Sequence, residues 1–193
     1  MLLRSIELEN WLLGFDPLWR EVKQPSDSLS KELLRAILLR FQVKSTRISV
    51  KGSAYRRETD WDIHIPDFDE IVSLAETYLS SKPKRFYVSF DGETVIHLYY
   101  VLWKCKDGAI RRRAIKLLDE HPRREGAWDS WDSASVGRWV LSLEERQREN
   151  VQCREIKEGD RLRLSKIDHD TVEGQIRTWA YQLRNGERVC LSY

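Results

Sequence analysis

The sequence lacks long apolar runs, and it has no excess of charge of one sign. No stretch reaches the length of about 18 consecutive apolar residues that a membrane-spanning helix needs, so we expect no such helix. Glu7, Glu9 and Asp16 interrupt the apolar residues near the amino terminus, which argues against a secretory signal peptide. The 33 basic and 31 acidic residues nearly cancel, so we expect no strong overall field that would attract nucleic acid or a membrane.

Cysteine and histidine are scarce as well. Cys105, Cys153 and Cys190 are far apart and form no CxxC motif, and the four histidines show no spacing that would complete a zinc site. We therefore expect reduced thiols, no metal and no cofactor, in a nuclear or cytoplasmic protein. The sequence also contains no P-loop, dinucleotide-binding fingerprint, nucleophile elbow or Ser-His-Asp order.

Apolar residues at helical spacing are abundant. Their recurrence at intervals of three and four predicts helices that start near the following residues: Ile6, Leu29, Pro66, Val95, Asp107 and Ser133. Pro17 should kink or end the first of these helices. Val95–Cys105 is almost wholly apolar and aromatic, so we expect this helix to be buried.

The pattern changes after Gly159, where polar and apolar residues alternate. Asn185-Gly186 is a strong signal for a two-residue β-hairpin turn. The sequence therefore predicts a mainly α fold, a packed array of six or seven helices with a small C-terminal antiparallel β-meander. We assign residues 1–155 to a helical domain and residues 156–193 to a β appendage packed on it.

A series of short motifs runs through the chain in a fixed order. They are Trp61-Asp62, Pro66-Asp67-Phe68, Ile71–Glu76, Leu98-Tyr99-Tyr100, Cys105-Lys106-Asp107, Arg112–Ile115, Leu117-Leu118, Pro122–Gly126, Trp128-Asp129-Ser130, Trp139-Val140 and Glu144-Glu145. In this order they resemble the C-terminal regulatory region of fungal zinc-cluster transcription factors, the binuclear six-cysteine type. The sequence departs from that family in two respects. The six-cysteine cluster and its basic linker are absent, and His97 stands where the family usually has proline.

The segment Lys51–Pro66, KGSAYRRETDWDIHIP, has two interpretations. A Gly-Ser turn followed by Asp60 and Asp62 is typical of a nucleotidyltransferase, in which carboxylates on one strand hold Mg²⁺. That site also needs a third carboxylate on a neighbouring strand, and the elements on either side here are predicted helices. We therefore favour an architectural role, in which Thr59 or Asp60 caps a short helix, Trp61 fills the core and Asp62 pairs with a cation.

Two arginine clusters each have a structural interpretation and an anion-binding interpretation. Arg123 and Arg124 precede Glu125, so an arginine–carboxylate pair could fix the turn after Pro122, and the rival interpretation is a pocket for an anionic ligand. Arg111–Arg113 could contact phosphate, but we expect these side chains to form a solvated helix face, because nearby acidic residues dilute their field.

Aromatic side chains and two histidines complete the candidates. An aromatic set could form buried core or could line an apolar small-molecule cavity, and it consists of Phe86, Tyr87, Phe90, Tyr99, Tyr100 and Trp103. His64 and His97 have aromatic or carboxylate neighbours in the sequence. We expect each of them to be a structural histidine rather than a general base.

The resemblance implies a regulatory domain that binds a small molecule or a protein partner and does not read DNA by itself. Its candidate ligand-binding residues are Arg123, Arg124, Trp128, Tyr99, Tyr100 and Trp103. The alternative is a small biosynthetic enzyme of fungal secondary metabolism that transfers an acyl or aminoacyl group, including tRNA-dependent peptide-bond formation. Its candidate acid/base residues are Glu58, Asp60, Asp62, His64 and His97, with Arg123 and Arg124 holding an anion.

Overall fold

Six α-helices and two small sheets make up the part of the chain that the computed structural model describes, residues 2–22, 30–145, 156–170, 175–184 and 187–192. The helices are α1 (Leu2–Val22), α2 (Lys31–Gly52), α3 (Ile65–Ser80), α4 (Val95–Lys104), α5 (Gly108–Glu120) and α6 (Ser130–Glu145). The strands are β1 (Tyr87–Ser89), β2 (Arg123–Glu125), β3 (Trp128–Asp129), β4 (Arg163–Asp170), β5 (Gln175–Arg184) and β6 (Glu187–Ser192). The predicted mainly α fold with a small antiparallel C-terminal sheet is confirmed.

Local sequence signals start two of the helices. The Ser30 hydroxyl accepts a hydrogen bond from the backbone N–H of Leu33 at 3.0 Å and so caps α2. Asp107 caps α5 in the same way, as its position before Gly108 predicted. Of the two effects predicted for Pro17, a kink or the end of the first helix, the second is wrong, because α1 continues through Pro17 to Val22. No helix in the described ranges is both long and apolar enough to cross a membrane.

Helix α4 lies at the centre of the helical part. It packs against α2, α3, α5 and α6, and Val95, Leu98, Val101 and Leu102 on it are almost completely buried. The prediction of a buried helix here is confirmed. Its neighbours complete one large apolar core, which includes Phe41, Ile48, Phe68, Ile71, Leu79, Ala114 and Leu118.

The two sheets differ in topology. In the first sheet, β1 pairs parallel with β2, and β2 pairs antiparallel with the short β3. The second sheet is the predicted antiparallel meander, in the order β4-β5-β6. The predicted turn at Asn185-Gly186 lies outside the described residues, and the strands on either side of it pair through Arg184 and Glu187.

A second apolar cluster holds the meander against the helices. It combines side chains of α4 and α6 with residues of the C-terminal segment, and its buried members are Tyr99, Trp103, Val136, Val140, Leu162 and Ala180. The meander is therefore attached to the helical part by apolar packing as well as by the ion pairs described below.

The predicted domain boundary near residue 155 falls in residues 146–155, which the structure does not describe, so it stays a prediction.

Arg111 is completely buried, so the prediction that it faces solvent is wrong. Its Nη1 lies 2.5 Å from Oε2 of Glu144 on α6, and the Lys106 Nζ lies 2.8 Å from the other oxygen of that carboxylate. The backbone N–H of Leu162 also donates to Glu144, at 2.7 Å. Position 111 faces α6, where a buried opposite charge compensates the guanidinium.

Arg112 and Arg113 lie on the outer side of α5 and form ion pairs there. Arg112 pairs with Glu145 at 2.7 Å, and Arg113 pairs with Glu76 at 2.7 Å and also with Asp69. Arg113 is about one-third exposed, and the hydrogen bonds that its guanidinium donates to Glu76 hold the pKa of Arg113 above the ordinary value for arginine. The three arginines therefore do not form one phosphate-binding face.

Candidate functional site

A cleft of about 560 Å³ lies between α2 and α4. Its lining residues are Ser45, Thr46, Ser49 and Val50 on α2, Ser53 directly after α2, and Ile96, His97 and Tyr100 on α4. The α2 residues recur at helical spacing, so they share one face of the helix. Because their side chains are small, they leave a gap where larger residues would close the contact between the two helices. The volume lies in the range of small-molecule binding sites.

Three residues in the wall of this cleft carry a buried polar atom that makes no hydrogen bond to another residue. These atoms are the Ser45 Oγ, the His97 Nε2 and the Tyr100 hydroxyl. Ser45 is only 7% exposed, whereas Thr46 and Ser53 use their hydroxyls to donate to backbone carbonyls within α2. An unpaired buried polar atom costs about 1–3 kcal/mol. Because all three belong to residues that line one largely apolar cleft, this cleft is the candidate site for a ligand with hydrogen-bonding groups.

The cleft is electrically neutral near neutral pH. Burial lowers the pKa of His97 to about 4, although Glu125 acts in the opposite direction. Burial also raises the pKa of Tyr100 to about 12, and the nearby Ser49 hydroxyl, which does not meet hydrogen-bond geometry with the Tyr100 hydroxyl, opposes this effect slightly. Among the residues that the structure describes, no acidic or basic side chain other than His97 lines the cleft. An uncharged ligand therefore matches the cleft better than an ion.

Asp60 and Asp62 lie in a 3₁₀ helix, Glu58–His64, and not on a strand. The carboxylate of Asp60 accepts hydrogen bonds from the backbone N–H groups of Arg56 and Arg57, and these bonds hold the pKa of Asp60 below its ordinary value. Asp62 forms two hydrogen bonds of 2.7 Å with the guanidinium of Arg161. The two aspartates therefore have the capping and ion-pairing contacts of the architectural interpretation.

The remaining acid/base candidates are also engaged. Glu58 pairs with Lys104 at 3.2 Å, and the Lys104 ammonium lies 4.6 Å from the centre of the Trp61 ring. His64 is buried between two partners, with Nε2 at 2.8 Å from the Tyr55 hydroxyl and Nδ1 at 3.2 Å from Asp67. His97 lies on α4, and no hydrogen bond joins it to the 3₁₀ helix among the described residues. The structure therefore does not gather the five predicted catalytic residues around one point.

The two arginines of the predicted anion pocket lie on opposite faces of β2, so they do not form one pocket. Arg123 is buried, and its Nη1 lies 3.2 Å from Glu125, while Arg124 is exposed on the other face of β2. Glu125 accepts hydrogen bonds of 2.7–2.8 Å from the backbone N–H groups of Glu93, Thr94 and Val95. Glu125 therefore caps α4 from a neighbouring strand, and Arg123 supports it there.

The predicted aromatic set also separates. Tyr99 and Trp103 belong to the second apolar cluster, and of the set only Tyr100 lines the cleft. Trp128, the other aromatic ligand-binding candidate, packs against the same cluster. The expectation of burial is wrong for three others, since Phe86, Tyr87 and Phe90 are exposed. They lie on or beside β1, which is one of the two edge strands of its sheet.

The α2 side of the cleft was not among the candidates predicted from the sequence. Its signal was present in the sequence, because Ser45, Ser49 and Ser53 recur every four residues along the last turns of α2 and its C-cap, while the other faces of this helix are apolar or charged. Such small polar residues usually indicate a solvated helix face, and only the position of α4 turns this face into a wall of a cleft.

No metal site is evident in the described residues, since no group of three or more histidine, cysteine or acidic side chains there could hold an ion. Cys105 is a buried free thiol, and burial raises its pKa to about 11. Cys153 and the side chain of Cys190 lie outside the residues described. No protein-family model, curated protein or solved structure matches this chain.

Proposed function

We propose that this chain is a regulatory domain that binds a small uncharged molecule, as an effector region of the fungal zinc-cluster type would. The observation that carries the proposal is the cleft between α2 and α4, with its unpaired polar atoms on Ser45, His97 and Tyr100. The ordered motifs that resemble those regulators support the regulatory part of the proposal.

The chemistry of the cleft narrows the class of ligand. The hydroxyls of Ser45 and Tyr100 can each donate or accept a hydrogen bond, and the His97 Nε2 can do either according to its tautomer. The rest of the exposed lining is mainly apolar. We therefore expect a largely apolar molecule with at least one carbonyl or hydroxyl group and no net charge.

In this role the domain senses a ligand and does not read DNA. In the resembling family, DNA is read by the six-cysteine cluster, so this domain would act through a change in its contacts with a protein partner. The proposed location is the nucleus or the cytoplasm, and no contact with a membrane is proposed.

The enzyme alternative, with its tRNA substrate, has less support. Asp60 and Asp62 are held by structural partners, and His64 lies in a hydrogen-bonded chain between Tyr55 and Asp67. Burial raises the pKa of Tyr55, which keeps its hydroxyl protonated and makes it a poor nucleophile. The regulatory proposal is favoured for this reason.

Two threonines provide a matched test of the cleft. Thr46 and Thr77 are both exposed on helices, and each donates its hydroxyl to the carbonyl four residues earlier, but only Thr46 lines the cleft. A panel of uncharged phenols and aromatic amides would be screened by saturation-transfer NMR. We expect Thr46→Phe to abolish the binding of any hit and Thr77→Phe to leave it unchanged. Equal loss in both variants, or no hit in the unmodified chain, would contradict the proposal.

The regulatory role is tested separately by fusing the chain to an unrelated DNA-binding domain in a yeast reporter strain. We expect the fusion to alter transcription, and we expect a ligand found by NMR to change the reporter signal only when Thr46 is intact. A fusion without any effect on transcription would remove the regulatory role, even if the cleft binds a ligand.

A further inference from the structure

Strand β1 is an edge strand with unused backbone groups. In its parallel pairing with β2, the N–H of Tyr87 donates to the Pro122 carbonyl at 3.2 Å, and the Ser89 carbonyl accepts from Gly126 at 2.8 Å. Along a strand, the backbone N–H and carbonyl groups of successive residues point alternately towards the two sides of the strand within the sheet. The N–H and carbonyl of Val88, between these residues, therefore point to the open edge of the sheet.

The same segment exposes apolar side chains on one face. Val88 pairs in register with the exposed Arg124, so it lies on the outer face of the sheet, whereas Tyr87 and Ser89 share the inner face with Arg123 and Glu125. Phe86 and Phe90 directly flank β1, and if the strand is extended by one residue at each end, alternation places both on the outer face with Val88. Their exposed fractions are 62% for Phe86, 58% for Val88 and 97% for Phe90. Exposed apolar residues at a sheet edge are typical of a surface that pairs with another strand.

The sequence of this edge is complementary to itself. Read outwards from Val88, RFYVSFD has phenylalanine at the second position on both sides and opposite charges at the third, Arg85 and Asp91. If two such strands run antiparallel about Val88, Phe86 lies opposite Phe90 of the other copy, and Arg85 lies opposite its Asp91. Among the described residues, neither Arg85 nor Asp91 takes part in an ion pair within the chain.

We propose that β1 pairs antiparallel with β1 of a second copy of this chain, with the two-fold axis at Val88. The two Val88 residues exchange both N–H···O hydrogen bonds, and the phenylalanines form two apolar contacts across the axis. Arg85 and Asp91 add two ion pairs at the ends of the contact. A strand of this length gives a small interface, so we expect a reversible dimer with a dissociation constant of about 10–100 µM. The proposal does not depend on the ligand-binding cleft.

Charge reversal tests this pairing by sedimentation equilibrium over a concentration range of about 5–500 µM, which spans the expected dissociation constant. Because each substitution occurs twice in the dimer, we expect Arg85→Asp alone, or Asp91→Arg alone, to weaken dimerisation about tenfold or more. The double variant Arg85→Asp/Asp91→Arg should regain the affinity of the unmodified chain. Lys31→Asp reverses an exposed charge at the start of α2 and should have no effect.

A backbone variant provides an independent test. Val88→Pro removes the N–H that faces the open edge, which an edge strand tolerates, and it should weaken the dimer about tenfold while circular dichroism shows an intact fold. A chain that stays monomeric throughout the concentration range would overturn the proposal. A dimer that none of the substitutions at residues 85, 88 and 91 weakens, or one that the double variant does not restore, would also overturn it.

Discussion

Replacement of Glu144 by glutamine is expected to destabilise this protein strongly. The carboxylate is completely buried and is shared by Lys106, Arg111 and the backbone N–H of Leu162. Burial by itself would raise the pKa of Glu144, but attraction to the two cations prevails and holds that pKa below its ordinary value. Glutamine keeps the shape and removes the charge, so two buried cations lose their counter-ion.

The magnitude follows from that loss. Breaking a buried ion pair costs about 3–5 kcal/mol, because the remaining charge is left without compensation. A single domain is stable by about 5–15 kcal/mol, so Glu144→Gln should remove a large share of the free energy of unfolding. With a urea dependence of about 2 kcal/mol per molar, the unfolding midpoint should fall by about 1.5–2.5 M.

The next residue supplies the control. Glu145 pairs with Arg112 at the surface, at 2.7 Å, so Glu145→Gln should cost about 1 kcal/mol or less. Both variants would be unfolded in urea and followed by tryptophan fluorescence, for which the chain has eight tryptophans. A difference between them of less than about 1 kcal/mol would refute the reasoning, because the buried cluster would then contribute no more than a surface pair.

Three further predictions concern other parts of the fold. Glu125→Gln should cost about 2–4 kcal/mol in thermal melts, because the carboxylate caps α4 and compensates the buried Arg123, and a cost below about 1 kcal/mol would contradict that role. Because burial lowers the pKa of His97 from 6.5 to about 4, the unfolded chain binds a proton between these pH values that the folded chain does not bind. Stability should therefore fall by about 3 kcal/mol as the pH drops through this window, and His97→Gln should remove that dependence in urea titrations at several pH values. Gly52→Ala should cost about 1–3 kcal/mol in the same assay, because the added methyl group overlaps the Trp61 ring, and an unchanged midpoint would show that the ring can move aside.

Much of the secondary structure could be predicted because it depends on local sequence. The apolar run from Val95 gave the buried helix α4, and Asp107 gave the cap of α5. The alternation after Gly159 gave the meander. The pairing of β1 with β2 could not be predicted, because parallel pairing joins two segments that the intervening helices α4 and α5 separate in the sequence.

The kinds of contact that Asp60 and Asp62 make were predicted from the sequence, but the partner of Asp62 was not. A cap and an ion pair were expected for Asp60 and Asp62, and both contacts are present. The cation is Arg161, which is 99 residues away in the sequence and reaches Asp62 from the segment before β4. Charge patterns within a helix carry no information about a partner at that distance.

The burial of Arg111 could not be predicted from the sequence either. Three consecutive arginines on an amphipathic helix suggested a solvated face, and this holds for Arg112 and Arg113. Whether a position at the border of the apolar stripe is buried depends on what the next helix places against it. Here α6 brings Glu144, so the guanidinium is buried with a counter-ion.

The sequence by itself determined the helices, their caps, the C-terminal meander and the near-zero net charge, because periodicity, capping and composition are properties of short segments. Only the tertiary structure decided which charges meet, which aromatic rings remain exposed and where a cleft remains. Those features arise where two elements face each other, and the geometry of packing fixes that arrangement. The cleft between α2 and α4 exists because small serines of one helix face His97 and Tyr100 of another.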